Sequence, residues 1–297
     1  MRIVVVMPAR DEAALIESSI QAVPDIVDWI IVVDDGSTDA TASIAAGLLG
    51  TRGELIQTGG EGVGGAIAAG SQQALTRYGE DCIVVVMAGD GQMDGTDLPT
   101  LIRPILDGRA DHVKGNRWLH ADGPKGMPLI RRLGTWWLSH LTSLASGQRI
   151  KDTQCGYTAT SGKMLNAWDW SKTWAGYGYP NWWLMEAGRL GFRIEEAPVR
   201  SVYGLERSGI RLIQFFTSVS WMLWKGVWRR GWDWYIRGRG TSPHLRVIAA
   251  TLWFGGWCSL FLIDWSPIGI LLCPLAFGLL MGLDRKESKR RRATVTA

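Results

Sequence analysis

Four short runs rich in β-branched and aliphatic residues pace the N-terminal third: Arg2 to Met7, Trp29 to Val33, Glu54 to Gln57 and Cys82 to Val86. The last is apolar throughout, as expected of a strand covered on both faces. Stretches of helical periodicity separate the runs. Short apolar runs alternating with helical patterns predict a largely parallel sheet with crossover helices, an α/β fold. Each run empties into residues suited to ligand contact rather than a plain turn: Pro8 to Glu12, Asp34 to Asp39, Gly59 to Ala66, and Met87 to Asp94. In open α/β sheets ligands gather beyond the carboxyl ends of the strands.

The pattern changes after about residue 205. From Ile210 to Arg230, Arg211, Gln214, Ser218, Lys225 and Arg229 share one helical face, and Leu212, Phe215, Phe216, Val219 and Leu223 the other. Trp221, Trp228 and Trp232 fall beside the cations. This reads as an interfacial amphipathic helix with a basic linker, residues 206–241. A surface helix packed on the preceding domain has the same pattern. Leu245 to Ile263 then runs 19 residues with Arg246 as its one charge, and Ile268 to Leu283 a further 16 without any, with Asp264 to Pro267 between them. At ~1.5 Å per residue the first run reaches ~28 Å, close to the ~30 Å hydrocarbon core of a bilayer. Residues 242–284 are therefore expected to be a transmembrane hairpin, with two buried core helices as the alternative. Cations flank both ends, and 285–297 form a basic tail. The positive-inside rule places both termini and the 1–205 domain in the cytoplasm of a multi-pass inner-membrane protein.

Composition changes the picture little. The net charge of +4 over 297 residues is mild. The basic tail sits beside apolar runs, which favours anionic lipid over nucleic acid. Seventeen tryptophans, eight of them from Trp221 onward, fit an interfacial region. The four cysteines show no metal spacing, and a reduced compartment is expected. His112, His120, His140 and His244 show no ligand spacing either. The first strand is expected to begin the mature chain without a signal peptide.

The chemistry concentrates in Met87-Ala88-Gly89-Asp90-Gly91-Gln92-Met93-Asp94. Asp90, Gln92 and Asp94 are oxygen ligands suited to a hard divalent cation carrying a diphosphate, though an Asp-Gly turn with solvated acids has the same letters. Gly60 to Gly65 also fits a dinucleotide fingerprint. It follows the third strand rather than the first, and no acid ends the next strand, so a dehydrogenase is set aside.

In order, Pro8-Ala9-Arg10-Asp11-Glu12, Val32 to Asp39, Gly62 to Ala66, Met87 to Asp94, Lys114 to Arg117 and Asp152 to Tyr157 resemble the motifs of family 2 glycosyltransferases. The resemblance is to the polyprenyl-phosphate (dolichyl-phosphate) mannosyl- and glucosyltransferases, and it covers residues 1 to about 205. It implies a GT-A fold, Rossmann-like, with a mostly parallel sheet and flanking helices. It implies a nucleotide-sugar pocket of Pro8, Ala9, Arg10, Glu12, Asp34, Asp35, Gly64, Gly65 and Asp90. Mg²⁺ or Mn²⁺ would sit on Asp90 and Gln92, and Ala88 replaces the usual first acid of that motif. Asp34 and Asp35 have an alternative role as helix caps. Asp90, Asp152 and Arg117 are the expected catalytic residues, and Arg117, Arg131 and Arg132 the acceptor-phosphate site.

The implied reaction is inverting transfer of one sugar from a UDP- or GDP-sugar to a polyprenyl phosphate. Two alternatives stay open. One is a lipid-linked saccharide hydroxyl as acceptor, with Glu186 as base; the other is a nucleotide-sugar-binding membrane protein without turnover. Expected partners are the donor, the lipid acceptor and the membrane, with no nucleic acid; homo-oligomerisation is left open.

Overall fold

The computed structural model describes residues 1–202, 212–238, 243–261 and 267–296. Seven strands, β1 (Arg2–Ala9), β2 (Trp29–Asp34), β3 (Gly53–Gln57), β4 (Cys82–Val86), β5 (His112–Asn116), β6 (Thr158–Ser161) and β7 (Ile194–Pro198), form one sheet in the order β3-β2-β1-β4-β6-β5-β7. All neighbours are parallel except β6, which runs antiparallel to both β4 and β5. The four expected strands are all present, each within two residues of its expected ends.

On β1, Val4 and Val6 face one side while Ile3, Val5 and Met7 face the other, and both sets are buried. A strand covered on both faces shows no polar alternation, which is why these runs read as continuously apolar. One side is covered by α1 (Ile16–Gln21), α2 (Thr41–Leu49) and α4 (Leu98–Leu106). The other is covered by α3 (Val63–Tyr78), α5 (Leu129–Ser146), α6 (Gly162–Asn166) and α7 (Tyr179–Leu190). The chain lays β2 and β3 to one side of β1, then returns to place β4 on the other. The reversal opens a crevice beyond the ends of β1 and β4, the place where such sheets take ligands.

The C-terminal third departs from expectation. The amphipathic segment forms α8 (Leu212–Gly231), which continues as a π-helical turn, Trp232–Ile236. Its apolar stripe is largely turned inward: Val219, Met222, Leu223 and Val227 are buried, and Phe216 packs over Gly134 of α5. Arg229, on the polar face, pairs with Glu186 of α7. The two apolar runs form α9 (Pro243–Phe261) and α10 (Pro267–Thr296). Among the described residues no helix is long and apolar enough to cross a membrane. Arg246 sits near the start of α9, and α10 carries its charged second half to Thr296 without a break, so the basic tail is helical.

Trp253, Trp257 and Leu280 belong to the same apolar core as the sheet. Trp224, Trp228, Trp253, Trp257 and Phe277 meet edge-on at ring separations of 5.5–5.6 Å. Buried Arg230 of α8 reaches Asp284 of α10 with two bonds, 2.8 and 2.9 Å, and Tyr235 and Trp253 donate to the same carboxylate. These runs are apolar because they cover protein as well as each other. Ile210, Arg211, Arg239, Asp264 and the boundaries at 205/206 and 241/242 lie outside the described residues.

Candidate active site

Four strand-end loops are stitched together in the crevice by their own backbones. The Asp35 amide donates to the Ala9 carbonyl at 2.9 Å, and the Gly89 amide to the Pro8 carbonyl at 3.0 Å. Glu12 N donates to Thr41 Oγ1 at 2.8 Å, and Thr38 N to Asp11 Oδ1 at 2.7 Å. Asp11 holds this position with φ of 55°, a backbone state that short acids tolerate. Pro8 and Ala9 are thus the hub that joins the neighbouring loops in the crevice.

Asp34 and Asp35 are both buried and neither caps α2 through its side chain. Asp34 accepts from Ser37 N at 3.3 Å and from Gln57 Nε2 at 3.2 Å. Asp35 clamps the glycine turn: it accepts from Thr58 Oγ1 at 2.6 Å, Glu61 N at 2.7 Å and Gly62 N at 2.8 Å. A carboxylate offers about four lone-pair sites, so roughly one remains for a ligand. Gly62 (φ 83°) and Gly64 let the chain at Trp174 and Ala175 come close: Gly64 N donates to the Ala175 carbonyl at 2.7 Å. A Cβ on Gly64 would fall on the Trp174 carbonyl oxygen, and one on Gly65 would meet the Glu61 side chain. Gly62 and Gly64 serve close packing of that segment, and Gly65 makes room for Glu61. Arg10 reaches over the turn at Gly60.

Asp90 stands half-buried at the end of β4, its Oδ1 accepting from Gln92 N at 3.0 Å. Burial raises its pKa above the ordinary carboxylate value. Glu12 is pushed up to about 7, first by burial and then by Asp90, Asp39 and Asp11. This under-compensated negative charge suits a cation. Among the described residues no three His, Cys, Asp or Glu side chains gather to hold a metal. A cation here would take Asp90, and Gln92 beside it, and fill its shell with water and donor phosphates, a habit of Mg²⁺. Asp94 is no ligand. It caps the turn Gly95–Asp97 through Thr96 N at 2.9 Å and pairs with Arg200 at 2.8 Å.

Beyond the end of β5, Asp152 is fully buried and grips Arg117 by its backbone N (3.0 Å), Nε (2.8 Å) and Nη2 (2.9 Å). Burial alone would raise the Asp152 pKa; the bonds from Arg117 outweigh it and hold the group below the usual carboxylate range. Glu196 of β7 ties the corner, accepting from Asn116 Nδ2 and from the backbone N of Lys151 and Asp152 at 2.9–3.0 Å. Buried Lys114 donates to the Cys155 carbonyl, and burial lowers its pKa to about 8. Tyr179 and Asn181 of α7 hold the segment through Gly156 O and Gln154 Nε2. Arg131 and Arg132 stand on the first turn of α5; Arg132 bonds back to the Met127 and Pro124 carbonyls. Glu186 is buried and fully engaged, by Arg189 at 2.7 and 2.9 Å and Arg229 at 2.8 Å.

Sequence reasoning missed Glu196, which lies in no motif, and the Trp174–Ala175 segment. The one signal for Glu196 was an acid pair inside a strand-like stretch, Ile194 to Pro198.

The sequence profile described as "Glycosyl transferase family 2" matches residues 4–166. The chain is 30% identical over 212 residues to an undecaprenyl-phosphate mannosyltransferase of Micrococcus luteus, covering 68% of this chain and 84% of the relative. It is 29% identical over 217 residues to a UDP-N-acetylglucosamine–dolichyl-phosphate N-acetylglucosaminyltransferase of Methanococcus voltae, covering 68% and 86%. Among solved structures, glucosyl-3-phosphoglycerate synthase from Mycobacterium tuberculosis, in complex with Mn²⁺, UDP and glucosyl-3-phosphoglycerate, superposes with a TM-score of 0.55 at 22% identity, covering 77% and 79%. That likeness carries the fold.

Proposed function

The chain belongs to glycosyl transferase family 2 and is a glycosyltransferase, and from that premise we propose that it moves one sugar from a UDP- or GDP-sugar to a polyprenyl phosphate, with inversion. The observation that carries the acceptor half is the state of Glu186. A sugar hydroxyl needs a general base, and the one acid considered for that work is buried between two arginines. A phosphate monoester arrives already anionic and needs cations to position it. Arg117 is held in one orientation by Asp152, the condition under which a planar guanidinium selects phosphate, and Arg131 adds charge from α5. Relatives that act on undecaprenyl and dolichyl phosphates support the same acceptor.

An acceptor phosphate oxygen bonds to the anomeric carbon as the bond from that carbon to the donor diphosphate breaks. The electron pair leaves with the nucleoside diphosphate. When bound at Asp90, a divalent cation supplies charge neutralisation to that leaving group. Asp35 keeps the glycine turn closed against the donor, and Pro8 and Ala9 hold its walls together. Asp152 fixes Arg117, and Glu196 fixes the backbone that carries Asp152.

The lipid acceptor implies a membrane face, here the cytoplasmic side of an inner membrane. Leu129, Ile130, Leu133, Trp136 and Trp137 of α5 are exposed, as is Ile213 of α8. Such a surface supports resting on lipid beside Arg131. The test is transfer of labelled sugar from a panel of UDP- and GDP-sugars into an organic-extractable product, with and without polyprenyl phosphate. Product that needs polyprenyl phosphate, with Glu186→Gln retaining activity in proportion to its folded fraction, supports the reading. Product on a saccharide hydroxyl alone, abolished in folded Glu186→Gln, overturns it.

A further inference from the structure

On the side of α7 away from the acceptor segment, a second cavity opens. Its volume is about 750 Å³, within the range of small-ligand sites. It lies where the carboxyl ends of α7 and α8 meet the π-helical turn and α10. π-helical turns inside helices recur at functional sites; this one brings Trp232, Asp233 and Arg237 to the lip. Tyr179 and Asn181, which touch the acceptor segment, stand at the other end of α7. Twelve residues at ~1.5 Å each put roughly 18 Å between the two ends.

Among the described residues five cations line this cavity, Lys172, Arg189, Arg229, Arg237 and Arg291, against two carboxylates, Asp169 and Asp233. Helix carboxyl ends attract cations, which explains why they gather. It does not explain a surplus around open space. Arg189 is consumed by Glu186 and Asp233, and Arg291 by Glu287 and the Trp234 carbonyl. Arg229 gives one N–H to Glu186, and Arg237 one long bond of 3.5 Å to Asp233. A guanidinium has five N–H groups in a fork that matches phosphate. Lys172 pairs with Asp169 at the surface, an arrangement an incoming anion displaces at little loss. Trp232 and Trp234 supply an apolar wall.

We propose that this cavity is an anion site, distinct from the donor pocket, that takes a phosphate group through Arg229, Arg237 and Lys172. The phosphate is carried on a lipid headgroup or on a free polyphosphate. The inference does not rest on the polyprenyl-phosphate reading.

The test uses the full chain in EDTA, so that a metal-dependent donor site is silent. Pyrophosphate is titrated calorimetrically, and binding to phosphatidylcholine vesicles with and without phosphatidylglycerol is measured by sedimentation. Lys172→Gln/Arg237→Gln removes two exposed charges, and Arg52→Gln/Arg103→Gln is the equal-charge control away from the cavity. Arg229→Gln, which leaves Glu186 with Arg189, repeats the test. A tenfold or greater weakening for pyrophosphate in the cavity variants alone identifies a free polyphosphate. The same weakening only toward phosphatidylglycerol vesicles identifies a headgroup. Neither probe binding the wild type, or equal losses in the control, overturns the site.

Discussion

Burial and three neighbouring acids, Asp90 first among them, push the Glu12 carboxyl from 4.5 up to about 7. A raised carboxylate pKa means the folded chain holds the proton more tightly than the unfolded one. Stability from this group is therefore present below pH ~4.5 and is lost as pH rises to about 7. Glu12→Gln is expected to melt like the wild type near pH 4.5 and progressively higher than it toward pH 7, without added metal. A gap that widens toward acid instead would refute the assignment. Asp152 behaves in the opposite sense, since Arg117 holds its pKa down. Asp152→Ala leaves a mostly buried guanidinium without its carboxylate, a loss of about 3–5 kcal/mol in urea unfolding. Glu12 was legible as an acid at a strand end, and Asp152 only as the first residue of a motif. That Asp35 would be taken up by the glycine turn was not, because its partners are backbone amides that any residue could provide.

Elements were readable where burial is two-sided. The run Cys82 to Val86 needed no context to be read as a strand, since every position is covered. The glycine turn was readable as a motif but not as a packing device. Gly64→Ala should force the Trp174–Ala175 segment away, at about 1–3 kcal/mol by overpacking. Gly59→Ala, with open space around its Cβ position, should be close to neutral. Equal urea midpoints for the two variants would remove the close-approach account. The amphipathic pattern of α8 was correctly periodic, but periodicity reports an apolar stripe without saying what covers it. Phe216 meets Gly134, and Trp137 Nε1 donates to Ser220 at 3.3 Å. That cover comes from α5, about eighty residues earlier, beyond the reach of any local pattern.

At the scale of the whole molecule, α10 is a clasp. Besides Asp284, its Ser288 donates to the Gly147 carbonyl at 2.8 Å, Arg292 to Gln148 Oε1 at 3.1 Å, and the Val295 carbonyl accepts from Lys163 at 3.0 Å. A free-standing membrane hairpin would leave residues 1–241 folded after truncation. The clasp predicts the reverse: deleting 242–297 strands Arg230 and uncovers Trp224, Trp228 and Trp234, giving an aggregated or molten product. The point variant Asp284→Ala should lose about 3–5 kcal/mol by the same removal of a carboxylate from a buried arginine. A soluble truncation with a cooperative wild-type-like melt would restore the hairpin picture. Hydropathy could not separate the two, because a tryptophan-lined protein surface and a bilayer interior reward the same residues.

The pairing of Arg230 with a carboxylate 54 positions later also sets an order of events while the chain is being made. At a synthesis rate of about 5–20 residues per second, the partner emerges roughly 3–11 s after the arginine. The sheet has all its strands by then, since β7 ends at Pro198. What waits is the tryptophan layer, held open on a nascent chain whose sugar-transfer motifs are already in place. A pause in translation between codons 231 and 284 should lengthen that exposure, raising the aggregated fraction without altering any contact of the finished protein.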